Sequence, residues 1–137
     1  MADPRRFSYL ATQNTQGEST LRPLLPIELH YGGQSTHATG LLDTGADVNV
    51  LPFRLGIALG ATWEDQATAV QLSGNLANYE ARGILLHGQV EGFEPVQLAF
   101  AWSQAEQVPL IFGQVNFFMV FSACFYRAQQ AFEITLA

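Results

Sequence analysis

The chain has 137 residues, 48% of them apolar and only 13% charged, so it is long enough for one domain around a single core and too apolar to stay disordered. All six basic residues are arginine, and the lack of lysine excludes a phosphate-loop lysine, a Schiff-base lysine and a Ser–Lys dyad. A formal charge of −6 opposes nucleic-acid binding, and a single cysteine, Cys124, excludes both an intrachain disulfide and a cysteine-rich zinc site.

Residues 1–21 are polar and read as a flexible N-terminal arm, with a short strand near Phe7–Leu10. From Leu24 the pattern turns to period two, with Leu25, Ile27, Leu29 and Tyr31 on one face and Glu28 and His30 on the other. Gly32-Gly33 predicts a hairpin turn, and the return strand Ser35–Leu42 runs straight into Asp43-Thr44-Gly45. Val48–Leu51 predicts a short strand, and Pro52 suits the first turn of a short helix ending near Gly60. Strands are expected over Ala67–Leu72, Ala81–Val90 and Phe93–Trp102, with 71–78 as a turn-rich hairpin tip. Val108–Phe112 reads as a buried strand, Gln114–Phe121 as the one substantial helix, and Ala123–Tyr126 with Phe132–Leu136 as a final hairpin. The fold class is all-β: a small barrel with one short C-terminal helix. The N-terminus lacks an apolar stretch of signal-peptide length, and the most apolar run, Phe117–Tyr126, is about half a membrane span. The expectation is a soluble, cytoplasmic protein without membrane or nucleic-acid partners.

Leu41-Leu42-Asp43-Thr44-Gly45-Ala46-Asp47 carries the chemistry. It places one aspartate on a tight turn after an apolar strand, and the chain holds no second copy. Two carboxylates sharing one proton can activate water and polarise a carbonyl together. A chain with one such carboxylate builds that pair only across a twofold axis with a second copy of itself.

Five pieces in this order resemble the retropepsins, the single-domain aspartic proteases of retroviruses, and especially their bacterial retropepsin-like relatives. They are Arg22-Pro23-Leu24, Gly32-Gly33-Gln34, the Asp43 motif, Val50-Leu51-Pro52, and Pro109-Leu110-Ile111-Phe112-Gly113-Gln114. The resemblance covers about residues 22–136 and implies a protease domain over 22–137, homodimeric and without metal or other cofactor. It makes Asp43 the catalytic residue, with Thr44, Gly45 and Ala46 as the active-site loop; the Thr44 hydroxyl locks the two loops together. Asp47, Ser73, Gly74 and Asn75 would bind substrate, the last three as a flap. Arg22 would reach the partner's copy of Asp47, and Ile111, Phe112 and Gly113 would support the loop from behind. The sequence departs from the retroviral pattern at Gln114, where many relatives carry arginine. It also continues well past Gly113, so the retroviral dimer contact of the termini is not carried over.

The function this implies is an aspartic endopeptidase acting on a peptide or protein substrate. The alternative is a catalytically weak dimer of the same fold that binds peptides or proteins. Asp43, Gly45, Asp47 and Asn49 caricature a calcium loop, but Val48 stands where glycine is needed and Arg54 where glutamate is. His30, His37 and His87 lack zinc spacing and read as strand histidines. Cys124 is expected as a buried small hydrophobe, Phe117, Phe118, Phe121 and Phe125 as core or interface packing, and Trp63 as partly buried. The Tyr9-Leu10 step in the arm is expected to suit self-cleavage.

Overall fold

A computed structural model describes residues 3–137. Its centre is a closed barrel of six strands, β4 (Leu24–Tyr31), β5 (Gln34–Leu42), β9 (Leu110–Phe112), β6 (Asn49–Leu51), β8 (Val96–Ser103) and β7 (Ala81–Gln89), in that spatial order. The period-two pattern of β4 is realised: Leu25, Ile27 and Leu29 are buried while Pro26 faces out and Glu28 and His30 stay half-exposed. Gly32 and Gly33, with φ of 54° and 85°, supply the two left-handed residues that close the β4–β5 hairpin with Tyr31 opposite Gln34.

β5 and β9 run parallel, Leu42 opposite Phe112. The Phe112 ring fills the space above Gly40, where a Cβ would clash with it. Helix α1 (Phe53–Ala58) starts after Pro52, as expected, and lays Gly56 against Trp102. Trp63 has a definite place: it packs edge-on to Trp102 at 5.2 Å, and the Arg82 guanidinium lies 4.6 Å from its ring centre.

Three expectations about the segments between the barrel strands and after them change. Residues 67–72 form no strand; one bridge, Ala69 to Arg82, and two backbone bonds tie them to β7. Gly74–Asn78 is a 3₁₀ turn instead of a hairpin tip. The expected helix over 114–121 shrinks to the single turn α2 (Phe117–Val120). Asn116 lends its side-chain oxygen to the Ala99 N–H and the Asn49 amide, so the segment before α2 is held by the barrel. After α2, Phe121 is already extended and opens β10 (Phe121–Tyr126). Valine and aromatic residues give little intrinsic helicity to resist this.

The segment read as an arm contributes three strands. β1 (Arg5–Ser8) pairs with β11 (Ala131–Leu136), which pairs with β10, giving the order β1-β11-β10. Phe7 stacks on Phe132 at 5.4 Å, and Tyr9 is buried with its N–H donating to Gln130 O at 2.8 Å. That anchoring holds Tyr9 against the terminal sheet, while Leu10, the other half of the step expected for self-cleavage, stays exposed at the start of the next strand. β2 (Leu10–Gln13) and β3 (Ser19–Arg22) form a separate hairpin. Cys124 is exposed, not buried, because β10 turns Phe121, Ala123 and Phe125 toward the core and Ser122 and Cys124 away from it. A chain of rings, Phe112–Phe117 at 4.5 Å and Phe117–Phe121 at 5.0 Å, links barrel to sheet. Among the described residues, no helix is long and apolar enough to cross a membrane.

Candidate active site

Asp43 follows the last residue of β5, and its N–H donates to Phe112 O at 3.0 Å, prolonging the β5–β9 pairing by one bond. The chain then turns: Ala46 N–H donates to Asp43 O at 3.1 Å, and Gly45 N–H to Asp43 Oδ1 at 2.9 Å. One carboxylate oxygen is thereby oriented by backbone. A Cβ on Gly45 would come 3.3 Å from that oxygen, tight enough to push the carboxylate aside.

The loop is braced from behind by the segment after β9. Gln114 N–H donates to Ala46 O at 2.9 Å, Val115 N–H to Asp47 O at 2.8 Å, and the Gln114 side-chain amide to Thr44 O at 2.7 Å. Gln114, which departs from the retroviral pattern, therefore holds the loop through a neutral bond. Gly113 is obligatory for space, since a Cβ would lie 2.5 Å from Val48 O and 2.8 Å from Ala46 O. Phe112 is fully buried beneath the turn.

Asn49 escaped the sequence analysis as a site residue. It is fully buried and accepts from Gly113 N–H at 2.8 Å, while its amide donates to Ala99 O and Asn116 Oδ1, each at 2.9 Å. One side chain thus joins the loop, its brace and β8, with every buried polar atom satisfied. Its signal was a lone amide inside Val48-Asn49-Val50-Leu51, an apolar strand that has no other use for it.

Asp43 and Asp47 face a cleft of about 420 Å³. Val50 and Ile111 supply apolar lining, Leu76 packs in the same cluster, and Ser73 and Asn75 complete the lining from the segment before β7. The structure thus brings together Asp43, Gly45, Ala46, Asp47, Ser73, Asn75 and Ile111. Thr44 and Gly74 are exposed near it, and Phe112 and Gly113 lie behind it. Arg22 is exposed at the end of β3, next to Pro23, whose carbonyl accepts from Leu42 N–H at 3.1 Å. Among the described residues neither Arg22, Asp43 nor Asp47 enters an ion pair within the chain. A larger cavity of about 550 Å³ adjoins the cleft at Val48, and its lining contains no carboxylate. No group of three or more potential metal-binding side chains occurs among the described residues.

No family profile matches the chain, and no curated protein matches its sequence. Solved structures do. A retropepsin-like aspartic protease from Rickettsia conorii is similar with a TM-score of 0.60 at 14% identity, over 98% of this chain and 94% of that one. The EIAV protease complexed with the inhibitor HBY-793 is similar with a TM-score of 0.50 at 20% identity, over 75% of this chain and 88% of that one. The fold is retropepsin-like: an all-β barrel with an Asp-Thr-Gly turn at the end of a strand.

Proposed function

We propose that this chain is an aspartic endopeptidase that works as a homodimer. The observation that carries this reading is Asp43: a carboxylate oriented by the Gly45 N–H, lining a cleft together with Asp47, Ser73 and Asn75. Two such loops facing across a twofold axis set the two Asp43 carboxylates around one water. One carboxylate takes a proton from the water while the other, protonated, donates to the carbonyl oxygen of the scissile bond. The tetrahedral species then collapses as the amide nitrogen gains a proton and leaves, with no acyl-enzyme formed.

The other residues take supporting parts. Thr44 tethers the two loops, and Asp47, Ser73, Gly74 and Asn75 bind the substrate backbone. Arg22 neutralises the partner's copy of Asp47, and Ile111, Phe112 and Gly113 keep the loop from sinking. The segment around Gly74 acts as the flap that shuts out water.

Denatured casein is the direct test, with Asp43→Asn as the comparison. Cleavage is expected to fall by at least the 10²–10⁴-fold typical of a lost general acid–base group, with circular dichroism unchanged. Equal cleavage by both proteins removes Asp43 from the mechanism. Peptide binding without cleavage in the wild type makes the chain a binding module instead.

A further inference from the structure

We propose that the β2–β3 hairpin of one copy reaches the other copy and walls one end of its cleft, with Leu10, Thr12, Thr20 and Arg22 facing the partner. The inference rests on the homodimer reading above and deepens it, since it adds residues of one copy to the site of the other.

The hairpin stands apart from the sheets of its own chain. β2 and β3, four residues each, pair with one another, and among the described residues no third strand joins them. The turn between them is closed locally: Gly17 N–H donates to Asn14 O at 3.0 Å, and Gln16 and Glu18 N–H donate to Asn14 Oδ1. A two-stranded hairpin is marginally stable in water by itself, so a face left uncovered calls for a partner.

Register decides which face that is. Leu10 lies opposite Arg22, Ala11 opposite Leu21, Thr12 opposite Thr20 and Gln13 opposite Ser19. Directly opposed residues share a face, and successive residues alternate between faces. Leu10, Thr12, Thr20 and Arg22 therefore form one face, and Ala11, Gln13, Ser19 and Leu21 the other. Leu21 packs against the chain's own core. The Arg22 face turns away from that core, and Leu10 on it is 41% exposed.

Position and charge name the occupant. β3 ends one residue before Pro23, whose carbonyl accepts from Leu42 N–H, so the hairpin is rooted beside the Asp43 loop. Setting two Asp43 loops around one water carries each hairpin root toward the other copy, and the twofold axis makes the contact twice. Arg22 is the single charge on its face and, among the described residues, enters no ion pair within the chain. The cleft carries Asp47, likewise unpaired, and no basic side chain lines it. Gln114 adds no charge there, and its amide is engaged by Thr44 O. A cationic face and an acidic cleft are complementary. With Arg22 on the partner's Asp47, the other three residues of the face lie along that end of the partner's cleft, beside the path of a bound peptide.

Sedimentation of the full chain gives the dimer dissociation constant, and cleavage of denatured casein gives KM and kcat. The proteins compared are wild type, Thr20→Glu, Ser19→Glu and Leu10→Ser. Thr20 and Ser19 are both exposed neighbours, so the first two variants add the same charge on opposite faces. Thr20→Glu sets a carboxylate toward the partner's Asp47 and is expected to raise the dissociation constant at least fivefold, less in high salt. Ser19→Glu should stay within twofold of wild type. Leu10→Ser, assayed where the protein is fully dimeric, should raise KM at least threefold with kcat unchanged. Circular dichroism should match wild type throughout. Equal effects of Thr20→Glu and Ser19→Glu, or an unmoved KM in Leu10→Ser, overturn the hairpin's role; if wild type still cleaves casein through Asp43, the endopeptidase reading survives. A face-specific loss of dimer in a protein whose casein cleavage does not depend on Asp43 supports the contact and overturns the endopeptidase. A monomer at every concentration overturns both.

Discussion

Two glycines in the site answer to different measurements. Gly113 is enclosed by the backbone carbonyls of Val48 and Ala46, which cannot rotate away as a side chain could. Gly113→Ala is expected to cost about 1–3 kcal/mol, the usual range for overpacking, and to lower the melting temperature. Gly45→Ala meets only the tip of the Asp43 carboxylate. It should leave the melting temperature within a degree or two and instead lower kcat. The reverse order, a stable Gly113→Ala and an unstable Gly45→Ala, would contradict this account of the loop. Tyr126 offers a titration. Hydrogen bonding to Cys124, together with the charges of Cys124 and Glu133, pushes its phenol from the ordinary 10.0 up to about 12. The folded state thus holds this proton more tightly than the unfolded one, a contribution complete below about pH 10 and lost as pH rises through about 12. Tyrosinate absorbance should show one tyrosine fewer ionising near pH 12 in Tyr126→Phe. Loss of a tyrosine that ionises near 10 would mean the cluster does not form. At this scale Asp43 was legible from its tight turn after an apolar strand, whereas Asp47 and Gly113 were picked out only through the resemblance to the retropepsins. Asn49 and Asn116 were not legible, because their work is to bond backbone groups brought together only by the barrel.

Elements were legible where periodicity and turn glycines agree. The β4–β5 hairpin, α1 after Pro52 and the β10–β11 hairpin all fall where local pattern puts them. The pattern failed where tertiary bonds outrank propensity. Ala67–Leu72 has strand composition but finds only a fragment of ladder along β7, and 114–121 has helical spacing but is pinned by Asn116 on one side and drawn into β10 on the other. The flap assigned to Ser73, Gly74 and Asn75 consequently rests on a 3₁₀ turn, Gly74–Asn78, that buries none of its residues. Amide exchange in Ser73–Ala77 should be the fastest of any segment lining the cleft, and a peptide-like inhibitor should slow it. Identical exchange with and without inhibitor would refute the flap. Leu72, buried beside Val50, should exchange more slowly than its neighbours in both states.

For the whole molecule, the proposed dimeric mechanism would make activity a function of concentration. Specific activity on casein is expected to drop once the protein is diluted below its dimer dissociation constant, and to recover on concentration. Constant specific activity across a dilution series, with a monomer in the centrifuge, would sink the twofold mechanism. The global fold was legible because an ordered set of local motifs spans nearly the whole chain. The terminal sheet was not, since the pairing of Arg5–Ser8 with Ala131–Leu136 joins segments at opposite ends of the sequence.

Gln114 has a consequence that reaches beyond geometry. Its bond to Thr44 O joins two uncharged groups, and the backbone bonds from Gln114 and Val115 beside it are likewise neutral. Counter-ions have nothing to screen there, since screening acts on charged pairs and falls most heavily on exposed ones. The posture of the Asp43 loop should therefore be indifferent to ionic strength. On the proposed mechanism, a dependence on salt would enter elsewhere, through Arg22 meeting the partner's copy of Asp47 or through the charge of the substrate.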